Sequence, residues 1–170
     1  MIERKGPRPG LLITEGFGST VPCSRGRGHG DGLPYEQRHD VPRALRPVPI
    51  VPIPMIRTVR ERLGYNGAVL IPLDENDVRL NLRELVDQGV ETIIVVLVNS
   101  VVDPAHELRV LDIFLEEYPS HFLGAVPMLL SHQVAGRKGE YTRATSTIID
   151  GFLHNAMYHG LSALETNLRI

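Results

Sequence analysis

A chain of 170 residues, 42% hydrophobic and 22% charged, has material for one core-bearing domain and an ordinary surface. A formal charge of −2 gives no general attraction to nucleic acid or anionic membrane, and with 5% aromatic residues and no Trp the core must come from Val, Leu and Ile. The longest apolar run, Ile93 to Val98, is too short to span a bilayer, the first residues lack the apolar stretch of a signal peptide, and the lone Cys23 excludes an internal disulfide, so a cytoplasmic protein is expected.

Residues 1–55 hold most of the prolines and one convincing strand, Leu11 to Ile13. The run Gly26 to Gly32 has too much backbone freedom for a helix or central strand. With Arg25, Arg27, His29 and Asp31 it can cradle an anion, yet no nucleotide fingerprint surrounds it, and a surface or interface loop is favoured. Pro42, Pro47, Pro49, Pro52 and Pro54 favour an extended course. The whole stretch reads as an irregular N-terminal arm, with Val48, Ile50, Val51, Ile53 and Met55 as an apolar ribbon that would lie against a neighbouring chain.

From residue 56 the periodicity is regular. Ile56 to Leu63 and Ala68 to Ile71 read as a hairpin around Gly64-Tyr65-Asn66-Gly67. Asp74 caps a helix that runs to about Val86, with Val78, Leu82, Leu85 and Val86 on one face and Gly89 as its stop. Thr92 to Val98, rich in β-branched residues, has the pattern of a strand covered on both faces. Asp103-Pro104 opens a second helix whose apolar stripe is Leu108, Leu111, Leu115 and Tyr118. A strand lies within Phe122 to Leu130, and a long helix starts near Thr142, with Ile149, Phe152, Leu153, Ala156, Met157, Leu161, Leu164 and Leu168 at helical spacing. The order predicts an α/β fold: a mixed sheet with a parallel βαβ core and a β-hairpin over residues 56–170, preceded by the arm. Ile94, Val96, Leu111, Leu115 and Phe152 are the expected core.

The densest polar cluster runs from Ser131-His132-Gln133 to Thr147, with Glu140, Arg143 and Thr145 between. It precedes the long helix, whose N-terminus can receive an anion, but Glu140 and Arg143 form a structural pair equally well. Asn99 and Ser100 end the buried strand, where open α/β sheets place ligands. The candidate site is therefore Asn99, Ser100, His132, Glu140, Arg143 and Thr147. The seven histidines show no metal-ligand spacing, so no metal site is expected, and Cys23 has no His placed beside it by the sequence.

In order and spacing, Ile2 to Gly6, Gly10 to Phe17, Pro72 to Glu75, Asp103 to Glu107, Leu130 to His132 and Glu140-Tyr141, with Arg143 and Thr147, resemble the N-terminal region of the hydantoinase A/5-oxoprolinase family. The loop from Arg25 to Pro34 and Gly139-Glu140-Tyr141 look most like its acetone carboxylase branch. The resemblance implies an actin-like (ribonuclease H-like) ATPase framework. It also implies ATP and Mg in the complete enzyme, and activation of a carbonyl by phosphorylation, for ketone carboxylation or for hydrolysis of hydantoins and 5-oxoproline. The implied partners are the remaining segments of the same subunit and a hydantoinase B-like large subunit. The family's opening Asp-x-Gly-Gly-Thr phosphate motif and following Gly-Thr-Thr segment do not occur here. Met1 is accordingly expected to correspond to an interior position of a full subunit, and the isolated chain to hold no cofactor and lack activity. A residual, non-catalytic interaction module is the other reading.

Overall fold

The structure, a computed structural model, describes residues 6–24, 33–39, 48–119 and 126–168. Strand β1 (Pro9–Thr14) is followed by the short helix α1 (Thr20–Cys23). Strands β2 (Ile56–Val59), β3 (Arg62–Leu63) and β4 (Val69–Ile71) precede helix α2 (Glu75–Asp87). Then come β5 (Thr92–Val96), α3 (Ala105–Glu117), β6 (Met128–Leu130), α4 (Ser131–Val134) and the long α5 (Glu140–Leu168).

Four strands form one wholly parallel sheet in the order β2-β1-β5-β6. The expected hairpin is thereby corrected. Residues 56–63 are not one strand: β2 pairs in parallel with β1, and only β3 turns back against β4 as a separate two-stranded ribbon. The break allows the same stretch to serve the main sheet and the ribbon. The N-terminal third is also more than an arm, because β1 lies at the centre of the sheet and is buried along its length. Of the predicted ribbon, Val51 and Met55 are inside this chain's own core, while Val48 and Ile53 are exposed. The run 25–32 and residues 40–47 lie outside the described residues.

Both faces of the sheet are covered, which is why β5 reads as an unbroken apolar run. Ile94 meets α5, where a Cβ added at Gly151 would stand 3.2 Å from its side chain, so glycine lets the helix lie on the strand. The opposite face, where Gly10 pairs with Ile93, meets Leu85 of α2. The cap of α2 is the expected one, with the Asp74 carboxylate accepting from the amides of Asn76 and Asp77 at 3.1 Å. Helix α3 begins one residue later than predicted, at Ala105, whose amide donates to Asp103 at 2.9 Å. Its buried face is His106, Glu107, Val110, Ile113 and Phe114, so the predicted stripe is displaced: Leu111 is half-buried, and Leu108 and Leu115 (46% exposed) face out. Apolar spacing alone could not reveal that a carboxylate takes the inward position. In α5 the first half packs through Ala144, Ile148 and Phe152, whereas Met157, Leu161, Leu164 and Leu168 are exposed.

Helices α2 and α3 are joined by a surface ion-pair ladder. Arg109 grips Glu75 with two bonds of 2.8 Å and Glu116 with a third, while Arg79 bridges Glu116 and Glu117. Glu75 is held below the usual carboxylate range chiefly by its bond from Arg109, Glu116 by bonds from Arg79 and Arg109, and Glu117 by bonds from Arg83 and Arg79. A carboxyl whose folded value is depressed stabilises the fold above its unfolded value of about 4.5, and that contribution is lost as pH falls through the folded value. Glu116→Gln should therefore lower the thermal midpoint slightly at neutral pH, and the gap to wild type should narrow as pH falls below about 4.5. A gap that persists undiminished in acid would show that the ladder does not act through charge.

Candidate functional site

Where β5 leaves the ladder, the amides of Leu97 and Val98 need new acceptors, since a buried N–H without a partner is costly. Two side chains supply them. Glu107 Oε1 accepts from Leu97 N at 3.0 Å, and Thr14 Oγ1 accepts from Val98 N at 2.9 Å. Each acceptor heads a polar chain, and the adjacent residues His106 and Glu107 of α3 place one member in each.

Glu107, fully buried, also accepts from Ser131 Oγ at 2.5 Å and from the amide of His132 at 3.1 Å. Its Oε2 stands 2.6 Å from His132 Nδ1. A carboxylate only accepts, so Nδ1 is the donor, and in the neutral ring Nε2 is the acceptor nitrogen. Ser131 Oγ in turn accepts from Arg143 Nε at 2.9 Å and lies 3.3 Å from Ser100 Oγ. Arg143, 1% exposed, donates through Nη2 to the carbonyl of Leu97 at 2.6 Å, with Glu140 at 3.8 Å. Its Nη1 is buried and has no hydrogen-bond partner among the described residues. In the second chain Thr14 Oγ1 donates to Glu61, whose other oxygen stands 2.8 Å from His106 Nδ1. The end of the central strand is thus bracketed by two carboxylate–imidazole pairs.

Of the predicted site residues, Ser100, His132 and Arg143 meet in one network and Glu140 borders it. Thr147 lies apart in function, bonding the carbonyl of Arg143 in its own helix at 2.8 Å. Asn99 turns away: in the left-handed conformation (φ 58°) it donates to the carbonyl of Leu63 at 2.9 Å and ties the ribbon to the sheet. Arg25, Arg27, His29 and Asp31 lie outside the described residues. The sequence pattern does not single out Glu107, Glu61, His106 or Thr14. A Glu in the first turn of a helix ordinarily complements the helix dipole at the surface, which conceals an inward role. Among the described residues no group of three or more His, Cys, Asp or Glu is placed to hold a metal, and no helix is long and apolar enough to cross a membrane.

The family profile described as Hydantoinase/oxoprolinase N-terminal region matches residues 1–118. The chain belongs to this family. The gamma subunit of acetophenone carboxylase from Aromatoleum aromaticum is 39% identical to this hydantoinase/oxoprolinase chain over 169 residues, 99% of the chain and 23% of that subunit. The nucleotide-free structure of acetone carboxylase, an enzyme of ATP-dependent acetone carboxylation, superposes with a TM-score of 0.85 at 29% identity, across 99% of this chain and 24% of that one. For the ATP-dependent caprolactamase of Pseudomonas jessenii the TM-score is 0.82 at 25% identity, across 99% and 23%. The family thus includes ATP-dependent carboxylases and a cyclic-amide hydrolase, and the chain spans about a quarter of the length of these relatives.

Proposed function

We propose that the chain is part of a subunit of an ATP-dependent ketone carboxylase of the acetone or acetophenone carboxylase type, which activates its carbonyl substrate by phosphorylation. The observation that carries this reading is the 39% identity, maintained over 99% of the chain, to an acetophenone carboxylase subunit. Under it, His132 is the proton-handling group, oriented by Glu107, and Ser100, Glu140, Arg143 and Thr147 maintain the helix and strand ends that hold it. Asn99 positions the β3–β4 ribbon. An actin-like framework, ATP, Mg and a hydantoinase B-like large subunit belong to the same reading. ATP itself does not fit the described residues: Arg143 is committed to Leu97 and Ser131, no carboxylate cluster for Mg is present among them, and the Asp-x-Gly-Gly-Thr motif is absent from the chain. The nucleotide is therefore assigned to other segments of the subunit.

The subunit containing this chain, assembled with its large subunit, should incorporate labelled bicarbonate into acetone or acetophenone only when ATP and Mg²⁺ are present. ATP-dependent opening of caprolactam or 5-oxoproline without label would establish the hydrolase reading, to which the caprolactamase structure lends support. Absence of ATP turnover with every substrate would leave a non-catalytic interaction module. Isothermal titration of the isolated chain should show no stoichiometric ATP binding. Micromolar, Mg²⁺-dependent binding would overturn the assignment of the nucleotide to other segments.

A further inference from the structure

Helix α5 has a second lined face. Arg143 reaches the polar network, but Tyr141, Thr145 and Ile148, at positions i, i+4 and i+7, turn instead toward α1 and the segment 48–51. Between them is a cavity of about 170 Å³, walled mainly by Val21, Pro22, Val48, Ile50, Val51 and Ile148. Its volume is close to the roughly 150 Å³ of an apolar cavity that admits benzene.

The polar atoms at the wall narrow the choice of occupant. Among the described residues, none that lines the cavity carries a charge. The hydroxyls of Ser24 and Thr145 already donate to the carbonyls of Val21, at 3.1 Å, and Tyr141, at 2.8 Å. They offer a ligand lone pairs at most. An ion entering here would lose hydration with no opposite charge among the described lining residues, and no free hydroxyl proton from Ser24 or Thr145, to replace it, whereas an apolar ring would lose nothing comparable.

We propose that this cavity binds a small, uncharged, largely apolar molecule about the size of a substituted benzene ring. The inference needs only the lining and the volume. It does not depend on the carboxylase reading, and a failed carboxylation assay would leave it standing.

The test is ligand-observed ¹⁹F NMR on the 170-residue chain, with fluorobenzene and 4-fluoroacetophenone as neutral probes and 4-fluorobenzoate as the charged comparator. The neutral probes should broaden saturably and displace one another, with benzoate weaker by about ten-fold or more. Thr145→Phe fills the cavity from the α5 side and should abolish the effect. Should that variant lose its cooperative melting transition, Val48→Trp, a substitution at the exposed rim, should close the mouth without touching the core. Non-saturable broadening, equal binding of benzoate, or saturable binding unchanged in a folded Thr145→Phe or in Val48→Trp would each overturn the proposal.

Discussion

Glu107→Ala is expected to lower the unfolding free energy by about 3–5 kcal/mol, the usual cost of removing one partner from a buried ionic arrangement. Four donors converge on this carboxylate: the amides of Leu97 and His132, the hydroxyl of Ser131 and the His132 ring. Alanine would orphan them together and remove the negative charge linked through Ser131 to the buried guanidinium of Arg143. Glu107→Gln keeps two acceptor lone pairs on one oxygen but presents an amide to Leu97 N or His132 N, so it should lose stability too, by less than alanine does. Urea denaturation of both variants provides the measurement. A loss below about 1 kcal/mol for Glu107→Ala would mean that solvent replaces the network readily, and its role in holding His132 would fall with it.

Val96→Asp should be the most damaging single substitution in the sheet. Val96 is buried in β5, beside Ile13 of β1, and the strand is covered on both faces. A carboxylate there has no partner and must be either desolvated or protonated, at a cost above about 4 kcal/mol. Set against a typical total stability of about 5–15 kcal/mol, that removes much of the folded population or all of it. Circular dichroism should show a thermal midpoint many degrees lower, or no cooperative transition. Val96→Thr, nearly isosteric, should cost only about 1–3 kcal/mol for its hydroxyl. An unchanged midpoint in Val96→Asp would show that β5 is not the centre of the core.

Local signals carried the reading where one residue suffices for the physics. Asp74 caps α2 because its short carboxylate reaches the next free amides, whatever surrounds it. Thr92 to Val96 is a central strand because an unbroken β-branched run cannot leave either face to water. Parts of the candidate site were legible in the same way: Ser100 and His132 follow strand ends, and Arg143 lies in the first turn of the long helix, places where an α/β fold gathers polar groups.

The chain by itself thus determined the family, the α/β order and the strand and helix that anchor the core, all of which rest on short-range patterns. Three matters waited for the tertiary structure. Ile56 to Leu63 had to be divided between two sheets, because the alternation is the same whether a strand pairs with β1 or with β4. The register of α3 was set by Glu107, whose burial makes sense only once the amides of Leu97 and His132 are beside it. Likewise Glu61 and His106, 45 residues apart, become a pair only where the ribbon meets α3. A buried charge is tolerated through partners distant in sequence, and pattern along the chain carries no record of those partners.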